Sequence, residues 1–154
     1  MSLRLLLSST PETLQDMETA AEDRYWEGWE LATQGLHVGA IYILGYAAEM
    51  LLKVSSFRVD GVHPGDPVGP RLGPARTYGK LRFPNITYDA GHSVEFWAAF
   101  LREKRVDHGR PLSTTTSSEL FHRTSRIHTR WLVSLRYRSL ALPPLAAAPI
   151  DFPI

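Results

Sequence analysis

At 154 residues the chain has the length of one domain, and a domain of this size buries roughly two-thirds of its unfolded surface without a disulfide or metal staple. It contains no cysteine, which excludes a disulfide framework, a thiolate zinc site and a nucleophilic thiol together. The run Leu5, Leu6, Leu7 is too short for a signal-peptide core, and the longest apolar segment is interrupted by Glu49 and Lys53, so the expectation is a cytoplasmic protein with no membrane span.

Thr10, Pro11 and Glu12 combine a capping hydroxyl, a proline suited to the first helical position and an acid near the positive dipole end, predicting a first helix over about 11–34. Leu14, Met17, Ala21, Tyr25, Trp29 and Ala32 recur at three- and four-residue steps as its core face, while Asp16, Glu22, Asp23, Glu27 and Glu30 make the opposite face acidic. Gly35 closes that helix. A second helix follows over about 36–57, with Val38, Ile41, Leu44, Ala47, Met50, Leu51 and Val54 spread around its circumference, as expected of a central helix. Gly39 and Gly45 are expected to let a neighbouring helix approach closely.

Residues 59–91 hold eleven Gly or Pro among thirty-three and predict a long loop, too poor in backbone donors for a regular helix and long enough to border a functional surface. Its stretch from Gly73 to Lys80 imitates a phosphate-binding loop, but the glycine spacing is one residue too long and no Ser/Thr follows the lysine, so that motif is rejected. A third helix is predicted over about 92–106, with Val94, Trp97, Ala98 and Leu101 inward. The hydroxyl-rich run from Ser113 to Ser118 caps a fourth over about 117–139, with Leu120, Ile127, Trp131 and Leu135 as its core stripe. The proline-rich tail, 140–154, is expected to be an extended arm or disordered.

The net charge of +1 conceals a polarity along the chain. Residues 1–60 carry four Lys/Arg against nine Asp/Glu, a balance of −5, and residues 102–138 carry nine against three, a balance of +6. Arg123, Arg126 and Arg130, at three-, four- and seven-residue separations, share one side of the fourth helix and can contact phosphates or pair with the acidic first helix. Glu49 and Lys53, one turn apart, read either as a structural ion pair or as ligand contacts. The six histidines show no metal-binding spacing, so no metal and no cofactor are expected. Trp26, Trp29, Trp97 and Trp131 all fall on predicted helices and read as core anchors.

Residues 35–53, GLHVGAIYILGYAAEMLLK, resemble the second helix of HEPN-type proteins, where a small-residue stretch leads into a Gly-x-Ala-x-Glu-x-x-Leu-Lys-like ending, here Gly45, Ala47, Glu49, Leu52 and Lys53. Gly91, His92, Ser93, Val94 and Glu95 are similar to the family's Gly-His-Asp-Leu-Glu-like helix start, and Trp131, Arg136 and Tyr137 to its Trp-x-x-x-x-Arg-Tyr-like segment. The resemblance spans about residues 10–140 and implies an antiparallel bundle of four or five helices, frequent homodimers, and roles from ribonuclease toxins of toxin–antitoxin pairs to nucleotide-binding modules and nucleotidyltransferase partners.

The ribonuclease branch uses an arginine followed at a short interval by histidine, and Arg123 with His128 matches that spacing, arginine holding phosphate and histidine doing acid–base work. Thr124 stands where the branch has Asn, Asp or His, and a five-residue step turns the pair about 140° apart on a regular helix. Arg102 and His108 meet the loose spacing as well.

The expectation drawn from these residues is an all-α, HEPN-like single domain over 1–154, homodimeric, acting as a nucleotide- or RNA-associated accessory module through Arg126, Arg130, Glu49 and Lys53. A nucleotidyltransferase is its expected partner. The alternatives are an endoribonuclease toxin using Arg123 and His128, and a structural protein–protein interaction module.

Overall fold

The computed structural model describes residues 12–86 and 92–131. These form five helices: α1 (Leu14–Thr33), α2 (His37–Val59), α3 (Gly69–Arg82), α4 (Val94–Asp107) and α5 (Thr114–Arg130). The described residues contain no strand, and the fold is all-α. α1 packs along α2, α2 on α4, and α4 on α5, with α3 laid against α4.

α1 begins one turn later than the proline signal suggests. Thr13 is its N-cap and Asp16 completes a capping box, each side chain bonding the other's backbone N–H; Thr10 and Pro11 lie outside the described residues. Hydrogen bonds from the Thr13 backbone and hydroxyl hold the Asp16 carboxyl below the usual carboxylate range. The predicted closing glycine is in place. Gly35 adopts φ +76°, and the amides of Gly35 and Leu36 return to the carbonyls of Ala32 and Leu31, satisfying the last turn before α2 starts.

The inward stripe of α1 is Leu14, Met17, Ala21 and Gly28. Trp26 and Trp29, expected in the core, are 65% and 42% exposed. The inward position beside Trp29 belongs to Gly28, where an added Cβ would lie 2.6 Å from Leu44 Cγ of α2. Hydrophobic periodicity does not register a glycine, so the predicted stripe misses by one residue at Trp29, while Leu14, Met17 and Ala21 are buried as expected. Gly39, expected to serve close approach, has only ordinary contact with Leu31; Gly45 fulfils that role, with an added Cβ falling 2.2 Å from Trp131 Cδ1.

α2 is the central helix, and by length and composition the one described helix apolar enough to cross a membrane. Here it lies between α1 and α4, with Glu49 and Lys53 buried and paired. The core centres on the aromatic side chains of α4: Trp97 meets Phe57 edge-on at 5.7 Å and Phe96 at 5.2 Å, and Phe83 closes on Phe96 at 5.2 Å.

The predicted loop over 59–91 is overturned in its middle, where Gly69–Arg82 is helical. Pro70 falls in the first turn, where a missing N–H costs nothing, and only Pro74 removes an interior donor. Tertiary packing offsets that loss. Ala75 and Gly79 are buried, Leu72 and Tyr78 are half-buried, and a Cβ at Gly79 would lie 2.3 Å from Phe96 Cε2, so α3 seats on α4 through a glycine. Residues 64–68 also return to the start of α1, with Leu14 N–H donating to Asp66 O at 3.0 Å and Val68 N–H to Glu12 O at 2.9 Å. Val62, Val68 and Phe83 are core residues, so the segment covers the core instead of merely bordering a surface.

α5 starts at Thr114, capped by Ser113, and ends at Arg130, with Trp131 as its buried C-cap. Trp131 therefore anchors the core from the cap, not from a helical position. The predicted continuation to 139, including Leu135, Arg136 and Tyr137, and the tail 140–154 lie outside the described residues.

Candidate functional site

An open cleft of about 270 Å³ lies between α1, α2 and α5. Tyr25 contributes from α1, and Ile41, Leu44, Ala48 and Leu51 form an apolar floor on α2. The opposite wall comes from α5: Arg123, Arg126, Ile127 and Arg130. At about 100° per residue these four positions fall within one face of the helix, which is why their spacing was legible.

The electrostatics of that wall are uneven. Arg123 Nε donates to Glu119 Oε1, one turn back, at 2.5 Å. Arg126 and Arg130 make no side-chain hydrogen bond or ion pair among the described residues. The acidic face of α1 does not neutralise them: Glu27 pairs with Arg24 at 2.8 Å, Glu30 accepts from Gln34 at 2.7 Å, and Glu22 and Asp23 are exposed. Two guanidinium groups without an acid partner among the described residues thus stand beside an apolar floor and an aromatic ring, a combination suited to phosphate oxygens on one side and a planar apolar group on the other.

Arg123 and His128 do not meet within the chain. Arg123 faces the cleft, whereas His128 turns toward α4, its Nε2 3.7 Å from Glu95 Oε2. Thr124, at the position where the ribonuclease pattern carries a polar head, is buried and its hydroxyl donates to Leu120 O at 2.8 Å. The other loose match separates too. Arg102 lies over the Phe121 ring at 4.9 Å, and His108 sits on Asp60 at 3.2 Å.

Glu49 and Lys53 lie apart from the cleft's basic wall, in the interior. Glu49 is 1% exposed and both its oxygens are engaged, Oε1 by Lys53 Nζ and Oε2 by His92 Nδ1 at 3.1 Å. Lys53 Nζ also lies 5.3 Å from the centroid of the Trp97 ring. This pair fastens α2 to the start of α4, with its polar groups spent on one another. The third member, His92, was missed as a site residue: its sequence signal, a histidine just before the Ser93 cap, indicates a helix start and says nothing of a partner 43 residues earlier. Among the described residues no three His, Asp or Glu side chains gather into a metal-binding group.

Neither a protein-family model, a curated protein nor a solved structure matches this chain.

Proposed function

We propose that the chain is a nucleotide- or RNA-associated binding module, HEPN-like in kind, whose ligand lies in the cleft between α1, α2 and α5. The observation that carries this reading is the pair Arg126 and Arg130, without acid partners among the described residues, on the wall of an apolar cleft that also holds Tyr25. Guanidinium groups engage phosphate oxygens in a fork, and an aromatic ring offers a stacking face to a base. Glu49 and Lys53 serve this site indirectly, by holding α2 in place. The module acts in the cytoplasm, beside a partner such as a nucleotidyltransferase, and pairs with a second copy through α1, where Trp26 and Trp29 leave apolar area uncovered.

The separation of Arg123 from His128 favours binding over cleavage, because acid–base catalysis needs the histidine within hydrogen-bond reach of the phosphate that the arginine holds. Fluorescence anisotropy of the full chain with a labelled single-stranded RNA oligonucleotide tests the reading. Saturable binding that weakens at least tenfold in Arg126→Ala/Arg130→Ala supports it; unchanged affinity in that variant removes the cleft from consideration. Cleavage of the oligonucleotide that disappears in His128→Ala would replace the binding module with the ribonuclease.

A further inference from the structure

A second hollow, of about 340 Å³, opens on another part of the molecule, at the C-terminal ends of α2 and α4. Its lining is Arg58 and Val59 from α2, Arg105 from α4, and His108 and Arg110 from the turn that follows α4. Four of five lining residues carry cationic or protonatable side chains, and none carries an acid.

Local backbone geometry brings these groups together. Gly109 adopts φ +65°, and the amide of Arg110 folds back to donate to Arg105 O at 2.8 Å. That turn returns Arg110 over the last turn of α4 and sets it beside Arg105, a placement that the five-residue spacing does not give on a continuing helix. Two of the lining residues, Arg58 and His108, already have acids of their own. Asp60 Oδ1 accepts from Lys104 Nζ at 3.0 Å and lies 3.2 Å from His108 Nε2, and Glu18 is engaged by Arg58. Arg105 and Arg110 have no acid partner among the described residues. Arg105 Nε is buried with no acceptor among the described residues.

We infer that this hollow is a binding site for a small phosphate or diphosphate group, held by the guanidinium groups of Arg105 and Arg110, with Arg58 and His108 at its edge. An oxyanion accepts from the guanidinium groups that face the hollow, and its charge offsets those of Arg105 and Arg110, which have no acid partner among the described residues. The site is separate from the α1–α2–α5 cleft and does not depend on the function proposed there.

Isothermal titration of the full chain at low ionic strength, with sodium pyrophosphate as the first probe and adenosine diphosphate as the second, tests this directly. The expected result is saturable binding of pyrophosphate that weakens at least tenfold in Arg105→Gln and in Arg110→Gln. Arg110 is exposed and outside the helices, so Arg110→Gln keeps the test decisive if Arg105→Gln does not fold. With adenosine diphosphate, equal Arg110-dependent affinity means that the hollow holds the diphosphate alone, and tighter Arg110-dependent binding means that it holds a nucleotide by its diphosphate. Absence of saturable binding by both probes, or binding that both single variants leave intact, overturns the inference.

Discussion

His92, at the start of α4, reaches Glu49 in the middle of α2, Nδ1 to Oε2 at 3.1 Å, while Lys53 engages the other oxygen of the same buried carboxylate. Removing the carboxylate's charge leaves the Lys53 cation against Trp97 without a counterion. Glu49→Gln is therefore expected to destabilise the chain by about 3–5 kcal/mol, and Glu49→Leu/Lys53→Met to recover much of the loss. Urea unfolding of the two variants checks this; a loss under about 1 kcal/mol in Glu49→Gln would mean that Lys53 escapes to water.

Gly45 and Trp131 make the second junction, which ties the end of α5 to α2. The indole Nε1–H donates to Tyr42 O at 3.0 Å, and the ring occupies the place a side chain at residue 45 would need. Gly45→Ala should displace the indole and cost about 1–3 kcal/mol, as overpacking does. Hydrogen exchange of the Trp131 indole proton reports it: the proton is expected to lose protection in the variant. Full retention of protection would show that α2 and α5 can spread without breaking the contact.

Tyr78 fixes α3 to α4 by donating to Asp107 Oδ2 at 2.6 Å, and burial together with that bond raises its phenol above the ordinary value. Tyr78→Phe should cost about 1 kcal/mol in thermal or urea unfolding. Removing residues 64–84 should do far more, lowering helical content by circular dichroism, because Phe96 would lose its cover from Gly79 and Phe83. Intact helicity after that deletion would return the segment to the status of a dispensable loop.

Much of this was legible in advance because caps and apolar periodicity act locally. The termination at Gly35, the central position of α2 and the shared face of Arg123, Arg126 and Arg130 all follow from spacing and propensity. α3 was not legible, because Gly69, Pro70, Gly73, Pro74 and Gly79 disfavour a helix in isolation, and the stabilising contacts come from Phe96 on another helix. The same limit applies to the sites. The arginine wall could be read on one helix, but the floor it faces and the hollow lined by Arg58, Arg105 and Arg110 depend on packing between helices.

Asp60 gives a pH signature. Burial raises its carboxyl, but hydrogen bonds and charge from Lys104 and His108 outweigh that and hold it below the ordinary carboxylate value. A carboxylate with a lowered folded-state pKa contributes stability above its unfolded value, about 3.9, and loses the contribution as pH falls through the folded value. Asp60→Asn should therefore be less stable than the natural chain at pH 7, by at most about 1 kcal/mol for so exposed a group, with the difference shrinking below about pH 4. Thermal melts across that range provide the check; a difference that grows toward acid would reverse the assigned sign.

The central claim, that Arg126 and Arg130 contact phosphates of a nucleic acid, is tested most directly by the salt dependence of RNA binding. Each phosphate contact on a single strand contributes about −0.7 to the slope of log affinity against log salt, so Arg126→Ala/Arg130→Ala should flatten the slope by about 1.4. His128→Ala, whose side chain turns toward α4, should leave the slope unchanged. A slope identical in the natural chain and the double arginine variant, or no RNA binding by the natural chain at low salt, would contradict the account.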